Sequence, residues 1–283
     1  MIAVNIQGRL GNQLFEYAFS YCAAKRLHTF CLFDNSKQFV VPLYFQVNRF
    51  PLIVNRIPGL RTLYRRMVAT IRSNRFMDWD DCSVLHDEEV LTNNTYYSGF
   101  FQSILYFEDF ETTIKKRFRV RGKYRKLFEE KFAVLKSTKL CVLHVRRGDY
   151  QSYGDVLHLG NTDKTLPVSY YDTCFRQIHD LEEYHVLCVS DDIETCKQLF
   201  KAYPFVHFPT ERTDLITDFQ LMYHADVVVI SNSTFSWWAA YLNPKKEKVV
   251  YAPKCFLGFD CETEFPKGIS DKTGFNWIDV PVV

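Results

Sequence analysis

The stretch Cys141-Val142-Leu143-His144-Val145-Arg146-Arg147-Gly148-Asp149-Tyr150 is the most informative part of this chain. An apolar run typical of a buried strand ends abruptly in an imidazole, two guanidinium groups and a carboxylate. Ligands of open α/β sheets bind at the carboxyl ends of the strands, and guanidinium groups match phosphate oxygens in pairs. In an extended backbone His144 and Arg146 share one face, so we expect Arg146 to contact an anion while Arg147 braces the loop. The alternative is a solvated strand end whose arginines pair with surface acids.

Strands and helices alternate in the second half of the chain, which predicts a parallel sheet. Strands are expected at 140–145, 184–189, 205–208, 226–230 and 248–251, and helices at 168–181, 193–202, 214–224 and 234–242. The first region has a strand at 2–6, a glycine turn and a helix, then a strand and loop at 96–103 and a helix at 115–131. The sequence therefore predicts an α/β protein with two domains, 1–137 and 138–283.

Three of the predicted strands end in polar clusters, and the ends of parallel strands lie along one edge of a sheet. The first cluster is the segment quoted above, and the second is Ser190-Asp191-Asp192. The third lies at a helix start and consists of Ser231, Asn232, Ser233, Thr234 and Ser236. Hydroxyl and N–H groups there suit phosphate, and Asp191 or Asp192 could accept hydrogen bonds from guanine; the alternatives are helix caps by a hydroxyl and by Asp192. Together the clusters predict a nucleoside diphosphate site.

The composition is that of a soluble globular protein, with 47% hydrophobic and 24% charged residues in 283. A net charge of +2 argues against non-specific nucleic-acid binding by the whole molecule. The nine cysteines are scattered without a C-x-x-C pair, as is typical of buried thiols in a reducing compartment. Without a signal sequence or an apolar run long enough to span a bilayer, we expect a cytoplasmic protein.

One long segment carries only positive charge. No Asp or Glu occurs from Asn35 to Met77, where Lys37 and seven arginines accumulate. Apolar residues recur in it at roughly helical spacing, which predicts a basic amphipathic helix within 56–75. Such a helix could rest on the inner face of an anionic membrane, although the simpler interpretation is the exposed basic face of an ordinary helix.

The sequence gives little support for a metal site. Asp78-Trp79-Asp80-Asp81 contains a D-x-D element, but basic polar sequence rather than a buried strand precedes it. The eight histidines show no zinc spacing, and no P-loop motif is present. Arginines can neutralise a leaving diphosphate, so we expect neither a metal nor another cofactor.

Several segments, in this order, resemble the α-1,2-fucosyltransferases of glycosyltransferase family 11. They are Gly8–Phe15, Gly99–Ser103 with Tyr106-Phe107, His144–Tyr150, Leu166-Pro167 with Tyr170-Tyr171, Ser190–Ile193 and Ser231–Trp238. The resemblance implies a GT-B-like fold of two Rossmann-type α/β domains, with the donor site in the carboxy-terminal one. It further implies a metal-independent, inverting transfer of L-fucose from GDP-fucose to the 2-hydroxyl of a β-linked galactose, on an oligosaccharide or a lipid-linked glycan in polysaccharide biosynthesis.

By position, the resemblance also assigns roles to single residues. Arg146 resembles the arginine that holds the β-phosphate, and Arg147 supports the motif. His144 and Asp191 or Asp192 resemble residues that recognise guanine. Asn12, beside Gly11, resembles an asparagine that faces the diphosphate and the acceptor. One departure is Arg9, which stands where the family usually has a second glycine.

The general base is less firmly assigned. Asp149 is favoured because it lies in the arginine loop, Asp155 and Glu16 are alternatives, and Asp149 could instead simply hold Arg147. The stretch 151–165, expected to face the acceptor, follows no pattern that indicates a structure. Two other functions stay open at this stage: a transferase that uses another nucleotide sugar, and a non-catalytic module that binds GDP or a glycan.

Overall fold

The computed structural model describes residues 1–79, 91–211 and 213–281. The chain forms two compact units, Met1–Arg121 with Pro266–Asp271, and Gly122–Phe265 with the segment from Lys272 onward. Each unit contains a sheet whose strands all pair in parallel, so the predicted α/β class with parallel sheets is confirmed. The domain boundary expected after residue 137 stays a prediction; the division between the compact units falls at Gly122.

The first unit is built on a four-stranded sheet in the order β2-β1-β4-β3. Its strands are β1 (Ile2–Asn5), β2 (Cys31–Asp34), β3 (Phe76–Asp78) and β4 (Tyr96–Ser98). Its helices are α1 (Leu10–Arg26), α2 (Val41–Tyr44), α3 (Phe50–Val54), α4 (Pro58–Asn74) and α5 (Glu111–Arg117). Tyr64, Val68 and Ile71 recur at helical spacing on α4 and pack against the sheet. The predicted amphipathic helix is therefore present, with one face in the core.

The second unit is built on a six-stranded sheet in the order β10-β9-β8-β5-β6-β7. Its strands are β5 (Leu140–Val145), β6 (His185–Ser190), β7 (Val206–His207), β8 (Val227–Val229), β9 (Val249–Pro253) and β10 (Asn276–Ile278). Its helices are α6 (Gly122–Lys131), α7 (Tyr153–Leu157), α8 (Val168–Phe175), α9 (Ile193–Leu199), α10 (Leu215–His224) and α11 (Thr234–Leu242). All six residues of β5 are buried, which explains its unbroken apolar run.

The helix expected at 115–131 is wrong as a single element. It is divided into α5 and α6, because the chain between them is extended and pairs with the segment after α2. Val120 forms a bridge with Phe45, and Arg121 N–H donates to the Tyr44 carbonyl at 2.8 Å. The helical pattern persists on both sides of the break, and long-range pairing decides the conformation at the break itself.

Three short strands were not expected from the sequence. β2, β3 and β10 have only three or four residues each, too few to show an alternation of apolar and polar side chains. The helix expected at 168–181 also ends earlier, at Phe175.

No described helix combines the length and the apolar character needed to cross a membrane.

Candidate functional site

The second unit brings the three polar clusters together at one edge of its sheet. β8, β5 and β6 are adjacent and parallel, with Leu143 beside Val229 and Val145 beside Ser190. The residues that follow these strands therefore emerge side by side. His144 lies next to the cluster after β8, and Arg146 lies next to the cluster after β6.

Arg146 is the centre of this site. One of its terminal nitrogens lies 2.7 Å from Asp191 Oδ2, and the other pairs with Asp149 Oδ1. The ring of Tyr150 lies under the guanidinium, with 5.2 Å between the ring centroid and Cζ. The Arg146 side chain is only 12% exposed, so its charge is partly withdrawn from water and directed by fixed partners. An arginine paired with acids, which was the alternative interpretation of this strand end, is thus present, but Asp149 holds Arg146 rather than Arg147.

Arg147 braces the loop through its backbone. Its N–H donates to Asp191 Oδ1 at 3.0 Å, and its Nε lies 3.7 Å from Asp192 Oδ2. Gly148, the next residue along the chain, has φ of +24°, and a Cβ there would lie 2.4 Å from Asp191 Oδ2. Any larger residue at this position would clash with the carboxylate that orients Arg146. Glycine is therefore required by this close approach.

Asp192 caps a helix, as the structural alternative predicted. Its Oδ1 accepts a hydrogen bond from Thr195 N–H at 3.2 Å at the start of α9. Hydrogen bonds from Thr195, assisted by the charge of Arg147, hold the pKa of Asp192 below its usual value. Asp191, by contrast, directs both of its oxygens to the arginine loop.

His144 is a buried, neutral imidazole. Its Nδ1 lies 2.8 Å from Ser231 Oγ, and its backbone carbonyl accepts a hydrogen bond from Tyr171 at 3.2 Å. Burial, with a further contribution from the charge of Arg146, lowers the pKa of His144 to about 3. The ring therefore stays uncharged in neutral solution and links the ends of β5 and β8 by a hydrogen bond.

The serine-rich turn leads into α11 without a side-chain cap. Ser233 occupies the N-cap position, but its side chain makes no capping hydrogen bond. Ser236 Oγ instead donates to the carbonyls of Ser233 at 3.0 Å and Ser231 at 3.4 Å. Because α11 follows β8, which lies beside β5, its start at Thr234 lies at the same sheet edge as the residues after β5. Trp237 and Trp238 are fully buried and serve packing.

Asn232 ties this turn to the loop after Arg146. Its Nδ2 donates to the Lys164 carbonyl at 2.8 Å, and its own carbonyl accepts a hydrogen bond from the Tyr150 hydroxyl at 3.1 Å. Its Oδ1 is buried and has no hydrogen-bond partner among the described residues. A buried amide oxygen without a donor is rare, because an unpaired buried acceptor costs free energy.

A buried ion pair holds the loop that follows Arg146. Lys164 Nζ lies 2.5 Å from Asp260 Oδ1, and the two side chains are 0% and 1% exposed. Lys164 N–H donates to the Tyr150 carbonyl at 2.8 Å, and Asp260 Oδ2 accepts from Asn161 N–H at 2.5 Å. Sequence reasoning missed this pair because the partners are 96 residues apart and lie in no recognisable motif.

The candidate residues of the amino-terminal region lie in the first unit. Gly11 is buried within α1, and Asn12 Oδ1 accepts a hydrogen bond from Gln102 at 3.0 Å. Glu16 is fully buried, and both of its carboxylate oxygens lie 3.2 Å from Gln7 N. Arg9 has an ordinary extended backbone, with φ of −97° and ψ of −177°, so this position does not require the family's usual glycine. In the second unit, Asp155 accepts a hydrogen bond from Thr162 at 2.8 Å.

Within the described residues, no group of three or more His, Cys, Asp or Glu side chains could hold a metal ion. Asp80 and Asp81 of the D-x-D element lie outside the described residues.

Comparison with known proteins identifies the family. The family described as "Glycosyl transferase family 11" matches residues 1–278. The O-antigen biosynthesis glycosyltransferase WbnK of Escherichia coli is 26% identical over 289 residues, covering 89% of this chain and 94% of the relative. An alpha-1,2-colitosyltransferase of Escherichia coli is 24% identical over 272 residues, covering 89% of this chain and 91% of the relative.

Among solved structures, the fold resembles that of the fucosyltransferase NodZ from Bradyrhizobium. The TM-score is 0.52 at 14% identity, covering 86% of this chain and 93% of that chain. A structure of the NodZ alpha-1,6-fucosyltransferase co-crystallized with GDP gives 0.50 at 14% identity, with 86% and 92% covered. These likenesses concern the fold alone. Because the family match extends over nearly the whole chain, this protein is a glycosyltransferase of family 11.

Proposed function

We propose that this enzyme transfers L-fucose from GDP-fucose to the 2-hydroxyl of a β-linked galactose on a glycan, with inversion and without a metal. The observation that carries the proposal is the arrangement around Arg146: a guanidinium held by two carboxylates, next to a helix start without a side-chain cap. Guanidinium and helix N–H groups are the donors that a diphosphate binds. The donor site then lies in the carboxy-terminal domain of a GT-B-like fold.

The names of relatives support the choice of donor and linkage. Colitose, the sugar named for one relative, is an analogue of fucose, and that relative forms an alpha-1,2 linkage. NodZ, which shares the fold, is an alpha-1,6-fucosyltransferase that was crystallised with GDP. The O-antigen biosynthesis role named for the other relative supports a polysaccharide or lipid-linked oligosaccharide as acceptor.

In the proposed reaction, the acceptor hydroxyl attacks fucose from the face opposite to the departing diphosphate. Arg146 and the N–H groups at the start of α11 stabilise the negative charge that develops on the β-phosphate, and arginine can fill the role that a metal has in other transferases. Neutral His144 keeps the Ser231 hydroxyl oriented through the 2.8 Å hydrogen bond. The family resemblance assigns recognition of the guanine ring to His144 and to Asp191 or Asp192, and it makes Asn12 and Gly11 further candidates for donor binding.

Asp149 is the proposed general base, because it lies in the arginine loop and its side chain is 41% exposed. Asp155 is already bonded to Thr162, and Glu16 is buried against the backbone of Gln7. Asp149 pairs with the same guanidinium that would bind phosphate. A diphosphate would compete with Asp149 for that guanidinium, and the released carboxylate could then accept the proton of the acceptor hydroxyl.

The test is incubation with GDP-fucose and a panel of β-galactosides in the presence of EDTA, followed by linkage analysis. We expect α-1,2-fucosylated product, formed at the same rate with EDTA as without it. GDP-mannose and UDP-sugars serve as comparison donors, and GDP-colitose is included because of the colitosyltransferase relative. Preference for another donor would replace fucose in the proposal, and loss of activity in EDTA would overturn metal independence. GDP binding with neither transfer nor slow donor hydrolysis would point to a non-catalytic module.

A further inference from the structure

The first unit has a surface that the donor chemistry does not use. It is formed by α3, the turn after it and the first half of α4. We call it the apolar–basic face, and its members are Phe50, Ile53, Ile57 and Leu63 with Arg49, Arg56 and Arg66. Helical spacing places Arg61 and Arg65 on the other flank of α4 from Leu63.

The apolar members of this face lie on the outside of their helices. Phe50 and Ile53 are three residues apart on α3, and the helical turn continues to Ile57, whose N–H donates to the Val54 carbonyl at 3.3 Å. Pro51 and Val54 between them are buried. Phe50, Ile53, Ile57 and Leu63 are instead between 44% and 56% exposed. Phe50, Ile53 and Ile57 are exposed at helical spacing and so form a stripe, to which Leu63 on α4 adds a further exposed apolar side chain.

The charge of this face is of one sign. The chain has no Asp or Glu from Asn35 to Met77, so no acid of this segment opposes the arginines. In the part of the chain that the structure describes, Arg49, Arg56, Arg61, Arg65 and Arg66 form no ion pair with a carboxylate.

The later arginines of α4 are engaged differently. Arg72 lies over the ring of Tyr96 at 5.1 Å, and Arg75 donates to Thr92 Oγ1 at 2.9 Å. The surface available for a partner is therefore centred on residues 49–66, earlier than the 56–75 expected from the sequence.

We propose that the apolar–basic face binds an anionic phospholipid bilayer. Arginine guanidinium groups would contact lipid phosphates, while Phe50, Ile53, Ile57 and Leu63 would enter the boundary between headgroups and acyl chains. A soluble polyanion would satisfy the arginines but gives no reason for the exposed apolar stripe between them. A bilayer satisfies both. The proposal does not depend on the identity of the sugar donor.

The experiment is vesicle flotation with the full chain. Vesicles of phosphatidylglycerol mixed with phosphatidylcholine are compared with vesicles of phosphatidylcholine alone. We expect flotation with the anionic vesicles only, weakening as salt is added. The double variant Arg56→Glu/Arg66→Glu and the double variant Ile57→Asp/Leu63→Asp should each lower vesicle affinity at least about tenfold, because each charged residue near an anionic surface and each inserted side chain contributes to binding.

The matched control is Lys126→Glu/Leu127→Asp on α6 of the second unit. Lys126 and Leu127 are also exposed and neighbouring, but Glu129 and Glu130 follow them, so we expect unchanged flotation. Circular dichroism spectra of all variants check that the fold is kept. Absence of wild-type flotation with anionic vesicles overturns the proposal. Loss of binding in the arginine variant alone, with Ile57→Asp/Leu63→Asp unaffected, also overturns it and indicates a soluble polyanion.

Discussion

Two ion-pair clusters of the second unit differ in how far their side chains are exposed to water. Arg146 with Asp149 and Asp191 is at the sheet edge, where Asp149 is 41% exposed and Asp191 29%. Lys164 with Asp260 is sealed, at 0% and 1% exposure. The backbone of Lys164 connects the two clusters, since it bonds Tyr150 and Asn232.

The difference in exposure predicts a difference in role. Charges that remain in contact with water can exchange one partner for another, as a binding site for a charged ligand requires. A sealed pair cannot, because any unpaired intermediate leaves a charge in a medium of low dielectric constant. We infer that the arginine cluster is the ligand-binding part and that Lys164 with Asp260 holds the surrounding loop in place.

The largest expected effect is on the sealed pair. Lys164→Met or Asp260→Asn should lower the free energy of unfolding by about 3–5 kcal/mol, because each leaves one buried group without its partner. The double variant Lys164→Met/Asp260→Leu should recover most of this loss, since apolar pairs often replace buried ion pairs at little cost. Urea unfolding of the three variants measures both effects. Equal destabilisation in the double variant would contradict a paired role.

The next effect concerns the cluster of Arg146, Asp149 and Asp191 at the sheet edge. Arg146→Ala should lower the rate of fucosyl transfer about 100- to 1000-fold, the usual loss when a preorganised donor to a developing anion is removed. Its loss of stability should be smaller than that of Lys164→Met. The matched control is Arg176→Ala, which removes an exposed pair with Asp172 in the same unit and should leave the rate unchanged. Measurements of rate and of GDP affinity by calorimetry distinguish the variants; near-normal turnover in Arg146→Ala would remove Arg146 from the mechanism.

The smallest expected effect concerns His144, which is buried like Lys164 and Asp260 but lies at the sheet edge with Arg146. Its pKa of about 3 is below the unfolded value of about 6.5, so between these values the unfolded chain binds more protons. Its contribution to stability is complete above about pH 6.5 and is lost as the pH falls, by about 2 kcal/mol at pH 5. Urea unfolding at pH 5 and pH 7 measures this loss.

The variant His144→Asn should reduce that difference between pH 5 and pH 7. His179→Asn serves as the control, because His179 is 91% exposed. An equal pH dependence in wild type and His144→Asn would show that His144 is not held in its neutral form.

The sequence predicted the parts of the fold that depend on local patterns. The apolar run of β5 gave both of its ends, the helical spacing of apolar residues such as Tyr64 and Ile71 predicted α4, and Asp192 was foreseen as a possible helix cap. The short strands and the break between α5 and α6 could not be foreseen, because pairing with distant segments determines them.

The candidate site was predictable in composition but not in its contacts. Parallel topology was enough to place the residues after β5, β6 and β8 at one edge. Pairing of Asp149 with Arg146 instead of Arg147 depends on the path of the chain around Gly148, which has a positive φ.

By itself, the sequence determined which chemical groups reach the edge of the second sheet, because alternation of strands and helices fixes where strand ends lie. Only the tertiary structure decided which side chains are charged and which of them form ion pairs. His144 became neutral, Arg146 acquired two carboxylates, and Lys164 found Asp260. Burial and distance between residues far apart in the chain set these states, and no local pattern encodes either quantity.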